Sequence, residues 1–420
     1  MLISAQNVNG LSDDEIIEIL KQSIKGRSLN NVLIIPPDIT RFHSKAGFIT
    51  NCYYHLLREK GVHVDILPAL GTHAPMSEAE LDKMFGDIPK ELFMVHHWHD
   101  DVTKIGTVNR NYINEISEGI FEEDIAVEVN KTLLDEKYDL ILSIGQVVPH
   151  EVAGMSSHAK NLLVGTGGAE MINSSHMLGA VYGLERLMGK DHSPVRKLYD
   201  YAFEHFLSKR PILFVLTVTT AIKDETSTKG LFISPGREAY EKAIELSLKT
   251  NLDIIKRPFK KCVVYLDPGE FKSTWLGNKA IYRSRMAMAD NGELIILAPG
   301  IERFGEDENI DQLIRKYGYV GRKKILQLFN DPENQDLRDN MSAAAHLIHG
   351  SSDGRFAITY AVKALSQDEI RSVGYNSASY DELSRIYDPE KLKYGWNQLA
   401  GEEIFYIPHP STGLWVYKKD

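Results

Sequence analysis

Residues 31–41 read Asn-Val-Leu-Ile-Ile-Pro-Pro-Asp-Ile-Thr-Arg: an aliphatic run, a proline pair that stops it, then an acid, a hydroxyl and a fixed cation. A short apolar run bounded by prolines reads as a buried strand. Working outward, residues 62–67, 139–144 and 162–164 repeat the apolar run, while 51–60, 77–85 and 123–137 carry charged faces and read as helices. Ser77 and Glu80 form a capping-box pair at the start of the second helix. The alternation predicts an α/β fold with mainly parallel sheets.

The pattern continues with strands at 212–221 and 230–234 and a helix at 237–249, which leads to a turn at Arg257-Pro258. A second alternating set follows, with strands at 262–266, 293–298, 356–360 and 404–408 and one long helical stretch at 310–329. Two α/β domains are expected, residues 1–256 and 257–420, with the active site in the cleft between them. Ligands of open α/β sheets bind beyond the carboxyl ends of strands, so the residues just after each run carry the chemistry.

Composition narrows the function classes. Across 420 residues, 48 Lys and Arg face 58 Asp and Glu, a net charge of −10 that opposes binding to nucleic acid. The two cysteines, Cys52 and Cys262, form no C-x-x-C pair, which argues for a reducing compartment and against a cysteine-based metal site. No apolar run approaches the roughly 20 residues that span a bilayer, and the amino terminus lacks a leader pattern; the expectation is a cytoplasmic protein without a membrane partner.

Four segments hold the candidate residues. Asp38-Ile39-Thr40-Arg41 follows the first strand, and Arg41 can grip a carboxylate or phosphate, although Asp38 or Thr40 can equally cap a helix. Gly71-Thr72-His73 follows the second and brings an imidazole to the strand end, where it acts in acid–base chemistry or in structure. His96-His97-Trp98-His99-Asp100-Asp101 has the composition of a metal site, but adjacent side chains diverge in any regular element. Residues 145–176 gather His150, Ser156, Ser157, Lys160, the Gly165-Thr166-Gly167-Gly168 turn and His176. Small residues there admit an anion to backbone N–H groups, without the spacing of a P-loop or a dinucleotide fingerprint.

In order along the chain, these segments resemble the lactate racemase family, the nickel-pincer-nucleotide-dependent 2-hydroxyacid racemases and epimerases. The family's D-x-T-R appears as residues 38–41, its G-T-H as 71–73, and its P-H-x-x-A-G-x-S-x-x-x-K as Pro149 through Lys160; Gly165 to Gly168, Glu170 and His176 follow. The resemblance implies a nickel pincer nucleotide, the Ni(II) complex of pyridinium-3-thioamide-5-thiocarboxylic acid mononucleotide, covalently attached to Lys160. It also implies His176 as the nickel ligand, His73 and His150 as the acid–base pair, and Asp38, Arg41 and Ser156 lining cofactor and substrate. Residues 1–256 would then be the cofactor-binding and catalytic domain. The implied reaction is C2 inversion of a small-molecule 2-hydroxy acid through transient hydride transfer to the cofactor, with cofactor-synthesis enzymes as partners.

Two departures from the family pattern shape the substrate expectation. The family's Y-Q-S-x-K-like segment, which helps to bind the substrate carboxylate, is here Tyr282-Arg283-Ser284-Arg285-Met286. Tyr282, Arg283 and Ser284 become substrate candidates, and a polar substrate such as an aldonic acid is favoured over lactate, with residues 257–420 contributing to its pocket. The family's S-G-G-G-K is here Ser156-Ser157-His158-Ala159-Lys160. The competing expectations are a divalent-metal hydrolase or isomerase built on residues 96–101, and a non-catalytic ligand-binding relative.

Overall fold

A computed structural model of the chain describes residues 2–222, 225–399, 401–411 and 413–418. They divide into two compact units, residues 1–182 with 186–251, and residues 183–185 with 252–420. Both are α/β units.

The first unit is built on a six-stranded sheet: β1 (Ile3–Gln6), β2 (Asn31–Ile35), β3 (His63–Ile66), β4 (Leu140–Gln146), β5 (Ile212–Ile222) and β6 (Glu225–Ser234), in the order β1-β6-β5-β4-β2-β3. Strands β3, β2, β4 and β5 are parallel, and β6 returns antiparallel. The central strands are covered on both faces, which is why they read as unbroken aliphatic runs: every residue of β4 is buried, and so are Val32 to Ile35 of β2. Helix α1 (Ala46–Arg58) lays Ile49, Tyr53 and Leu57 on one face of this sheet. Helix α2 (Glu78–Phe85) begins with the expected capping box between Ser77 and Glu80. Four of the unit's further helices frame the site: α3 (Ala159–Leu163), α4 (Ala169–Tyr182), α5 (Pro194–Phe206) and α6 (Glu238–Thr250).

The second unit carries its own six-stranded sheet, β7 (Phe259–Tyr265), β8 (Met288–Ala298), β9 (Ala357–Val362), β10 (Asn376–Ser379), β11 (Gly395–Leu399) and β12 (Glu402–Ile407), in the order β10-β9-β8-β7-β12-β11. Only the β11–β12 pairing is antiparallel. Among the described residues no helix is long and apolar enough to cross a membrane.

Three local expectations are corrected. Residues 123–137 form a strand, Ile125–Asn130, and a 3-10 turn, Lys131–Leu134; Ile125, Val127 and Val129 alternate at period 2 and are buried, so pairing with Val102–Val108 overrides the charged flanks. Residues 162–164 belong to the end of α3, where Leu162 and Leu163 are buried as helical neighbours; three apolar residues are too few to distinguish the two periods. The stretch 310–329 is two helices, α7 (Glu308–Tyr317) and α8 (Arg322–Phe329), separated by Gly318 and Gly321 at φ 66° and 94°.

Leu142 is fully buried at the centre of β4. Leu142→Ala is expected to cost about 2–5 kcal/mol, read as a lower urea midpoint at unchanged slope.

Candidate active site

The site residues of the first unit lie beyond the carboxyl ends of its parallel strands. After β2 the chain enters a 3-10 turn, Ile39–Ser44, whose N-cap is Asp38. The backbone N–H of Thr40 donates to Asp38 Oδ1 at 3.1 Å and its hydroxyl to the same oxygen at 2.5 Å. The other carboxylate oxygen, Oδ2, accepts from Nδ1–H of His73 at 2.5 Å. Burial raises the Asp38 carboxyl pKa, but the charge and hydrogen bond of His73, the Thr40 hydroxyl and the charge of Arg41 outweigh it and leave the group below the ordinary aspartate value. Asp38 therefore does more than cap: it accepts the Nδ1–H of His73 and so fixes which ring nitrogen faces the carboxylate.

The loop bearing His73 is tied across the site, since Gly71 N–H donates to Gly165 O at 2.8 Å and Gly71 takes φ 57°. Asn161, on α3, reaches Ile35 O at the end of β2 (3.2 Å), Ser143 Oγ (3.2 Å) and Ile144 O of β4 (3.3 Å). That amide anchors the helix carrying Lys160 to the ends of two adjacent strands.

His150 sits in a small hairpin, Pro149–His150 paired with Gly154–Met155. Val152 N–H donates to its Nδ1 at 3.0 Å, so the neutral ring carries its proton on Nε2. Burial holds its pKa well below the usual value; nearby Glu151 pulls it up, and Lys160, Arg41 and His176 push it down. Ser156, expected to line the cofactor, spends its hydroxyl on the main chain, donating to Gln146 O at 2.6 Å and accepting from Val148 N–H at 3.0 Å.

Lys160 is pushed down to about 8, by burial first and then by Arg41 and Arg196, against Glu151 and Asp38. His176, on α4, donates Nδ1–H to Ile172 O one turn back at 2.6 Å, and burial followed by Lys160 lowers it to about 4. Its Nε2 thus holds a lone pair, the usual state of a metal-ligating histidine whose other nitrogen is held by a carbonyl. Arg41 is half-buried, and its guanidinium forms no hydrogen bond or ion pair with any described residue, yet its charge reaches Asp38, His150 and Lys160. The structure brings Asp38, Arg41, His73, His150, Lys160 and His176 together.

Two of the candidate stretches are held by contacts within the fold. The Gly165 to Gly168 turn is glycine-rich because its neighbours are close: a Cβ on Gly167 would lie 1.8 Å from Leu163 O, and one on Gly168 2.2 Å from Glu128 Oε2. His96 is buried with both ring nitrogens in use, Nε2–H donating to Gly167 O at 3.1 Å and Nδ1 accepting from Asn130 at 3.0 Å, so it holds that turn. His97 pairs with Asp101 at 2.7 Å, and among the described residues no group of three or more His, Cys, Asp or Glu is placed to hold a metal.

In the second unit, Tyr282, Arg283 and Ser284 lie on a short helix, Lys279–Ser284, and all three are buried. The Tyr282 hydroxyl bonds His346 Nδ1 at 2.9 Å, Arg283 donates to Gly413 O at 2.9 Å, and Ser284 donates to Ala280 O at 2.7 Å. Arg285 donates to Glu185 at 2.7 Å and to Ser351 O at 3.0 Å. Neither arginine lies on a solvated helix face. Sequence reading passed over Glu151, whose carboxylate comes within 3.8 Å of His150, and Arg196, fully buried beneath the Lys160 turn. A charged residue next to His150 was the available signal for the first; an arginine inside an amphipathic helix gave none for the second.

Residues 13–185 match the lactate racemase N-terminal domain. The fold is similar to that of a protein from Thermotoga maritima, at 26% identity and a TM-score of 0.84, covering 99% of this chain and 100% of that one. It is also similar to the lactate racemase apoprotein of Thermoanaerobacterium thermosaccharolyticum, at 18% identity and a TM-score of 0.70, covering 97% of this chain and 93% of that one. No curated protein sequence matches the chain.

The depressed Asp38 pKa fixes a sign. Its contribution to stability is complete above the unfolded aspartate value of about 4 and is lost as pH falls through the lower folded value. Asp38→Asn is expected to flatten the acid limb of a stability-versus-pH curve below about pH 4, relative to the parent protein, in urea titrations at stepped pH.

Proposed function

We propose that the chain is a member of the lactate racemase family, on the match of its residues 13–185, and that it inverts C2 of a polar 2-hydroxy acid such as an aldonic acid. One observation carries the reading: two histidines, one with Nδ1–H held by a carboxylate and one with Nδ1 held by a backbone N–H, stand with an uncommitted guanidinium and a low-pKa lysine at the strand ends of one unit.

The donor set suits the family's nickel pincer nucleotide. Lys160, held at about 8, has a substantial free-amine fraction near neutral pH and would carry the covalent link; His176 Nε2 would ligate nickel. When bound, the cofactor supplies a reversible acceptor for the α-hydrogen with its electron pair. The chain's own groups do the rest. Arg41 binds the substrate carboxylate and fixes the pivot about which C2 inverts. His73 Nε2 accepts the hydroxyl proton of one stereoisomer while Asp38 stabilises the imidazolium that results. His150 in its imidazolium form returns a proton from Nε2 to the oxygen of the other and becomes neutral, and the two exchange roles in the reverse direction. The burial that lowers the His150 pKa makes its imidazolium a ready proton donor and excludes water from the transfer.

The preference for a polyhydroxy acid rests on the sequence, where Arg283 and Met286 replace the family's glutamine and lysine. Arg283 turns toward Gly413 O, which leaves Arg41 as the carboxylate anchor. We place the reaction in the cytoplasm, with cofactor-synthesis enzymes as partners; Cys52 and Cys262, both free thiols, support that compartment.

Produced alongside those synthesis enzymes, the chain is expected to carry an adduct on Lys160 by intact mass, with about one nickel per chain. Lys160→Ala should lose the adduct, and His176→Ala should keep it with depleted nickel; full nickel in the latter would move the ligand elsewhere. His73→Ala and His150→Ala should each lower turnover in both directions by about 10²-fold or more, scored by chiral chromatography on lactate, malate and gluconate. Either variant retaining more than about a tenth of the activity rejects that histidine's role. Faster turnover of lactate than of gluconate rejects the sugar-acid preference and leaves the racemase reading intact.

A further inference from the structure

Two residues before Lys160 the backbone turns into conformations that side chains disfavour. Ser157 takes φ 68°, and His158 takes φ 57° with ψ −135°, a combination that glycine adopts freely and other residues adopt only when held. Helix α3, which follows, has no side-chain cap on its first turn. The constraint therefore comes from tertiary contacts.

Those contacts come from α5 and α6. Arg196 on α5 is fully buried, and its Nη2 donates to Met155 O at 2.6 Å and to Ser157 O at 3.3 Å. The Tyr240 hydroxyl on α6 donates to Met155 O at 3.0 Å. The His158 ring packs against Phe214 at 3.9 Å and stacks on Tyr240 at 4.9 Å, with Asp200 3.8 Å from Nδ1 and no hydrogen bond to either nitrogen among the described residues. Ser157 rests over Gly145 of β4, where a Cβ would lie 2.0 Å from its Oγ. Arg196 leaves Nε and Nη1 without a hydrogen-bond partner among the described residues, and its nearest carboxylate, Asp200 at 3.9 Å, is itself held by Arg237. A guanidinium buried at that expense, with its hydrogen bonds directed to two carbonyls of one turn, is placed for what those carbonyls fix.

We propose that Arg196, seconded by Tyr240, is a positioning residue that holds the Ser157-His158 turn in its strained form and so delivers Lys160 to the active site. The proposal rests on the reading of Lys160 as the cofactor-bearing residue. The turn is the only covalent approach to Lys160 from the hairpin that bears His150, so its shape sets the offset between the two side chains. Without Arg196 the backbone at His158 relaxes toward negative φ, and Lys160 moves with it.

The test uses the full chain and two readouts. In the protein without cofactor, amide hydrogen exchange across residues 156–164 is expected to speed up about tenfold or more in Arg196→Met, with β2 unchanged as the internal reference. Adding His158→Gly, which removes the strain, should return exchange to within about threefold of the parent. In protein made with the cofactor-synthesis enzymes, the Lys160 adduct should fall to a small fraction in Arg196→Met and recover in the double variant. A general loss of stability would not be rescued by a glycine at 158. Parent-like exchange in folded Arg196→Met overturns the proposal, as does altered exchange with a full adduct. Should Arg196→Met not fold, Arg196→Lys decides on the same criteria, because one ammonium does not reproduce the planar two-carbonyl contact. A parent protein with no adduct refutes Lys160 as the attachment site, while the exchange comparison still decides whether Arg196 holds the turn.

Discussion

The side-chain amide of Asn161 is the tie on which the site's arrangement depends. It reaches the last carbonyl of β2, Ile35 O, and Ile144 O near the end of β4, along with Ser143 Oγ between them. Parallel strands end with carbonyls that no neighbour along the ladder satisfies, and one amide on a five-residue helix uses two of them. The helix is too short to hold its own orientation by packing alone. Lys160, its neighbour on that helix, takes its position from this contact together with the turn that Arg196 holds, and Gly71 N–H to Gly165 O adds a closure on the side of His73.

Electrostatics then sorts the gathered groups. Desolvation is the largest influence on His150, Lys160 and His176 and in each case favours the neutral form. Asp38 is the exception, because three donors and cations repay its burial. The outcome is one firm anion, one permanent cation in Arg41 and nitrogen bases whose protons sit on defined atoms. The proposed inversion needs one histidine ready to accept a proton and the other ready to give one, and a carboxylate on Nδ1 of His73 against a backbone N–H on Nδ1 of His150 sets the two apart.

Much of this was legible in the sequence, and the parts that were not have identifiable reasons. Aliphatic runs such as 31–35 and 139–144 gave the parallel sheets, since strands covered on both faces have no polar alternation to blur them. Ordered motifs gave Asp38, Arg41, His73, His150, Lys160 and His176, all of which the fold brings to one place. Ser156 was read as a ligand because a hydroxyl in a small-residue turn looks available, whereas its partners are main-chain atoms eight and ten residues away. Residues 96–101 stayed a competing metal site, which diverging neighbours argued against, because composition cannot reveal that Gly167 O, 71 residues on, is the acceptor of His96. Arg283 and Arg285 are inward-facing for a similar reason: their acceptors, Gly413 O and Glu185, are 130 and 100 residues distant. Long-range acceptors leave no local signature. Neither does a positive φ at His158, which depends on an arginine 38 residues later.

The second unit's sheet has a further consequence at its margins. An outermost strand offers unpaired N–H and C=O groups to any passing chain, and proteins that stay dispersed blunt that invitation. Here β10 is only four residues long and spells Asn-Ser-Ala-Ser, without the aliphatic face that a docking strand needs. On the opposite margin β11 carries Trp396, whose indole meets Phe259 and Phe405 on one side while the Arg257 guanidinium lies 4.1 Å from its ring. The Arg257 guanidinium laid over the one large aromatic on β11 covers that margin, and the short polar β10 blunts the other. The parallel core, slow to assemble because its partners are far apart in sequence, is thereby guarded against intermolecular strand exchange during the interval before it closes.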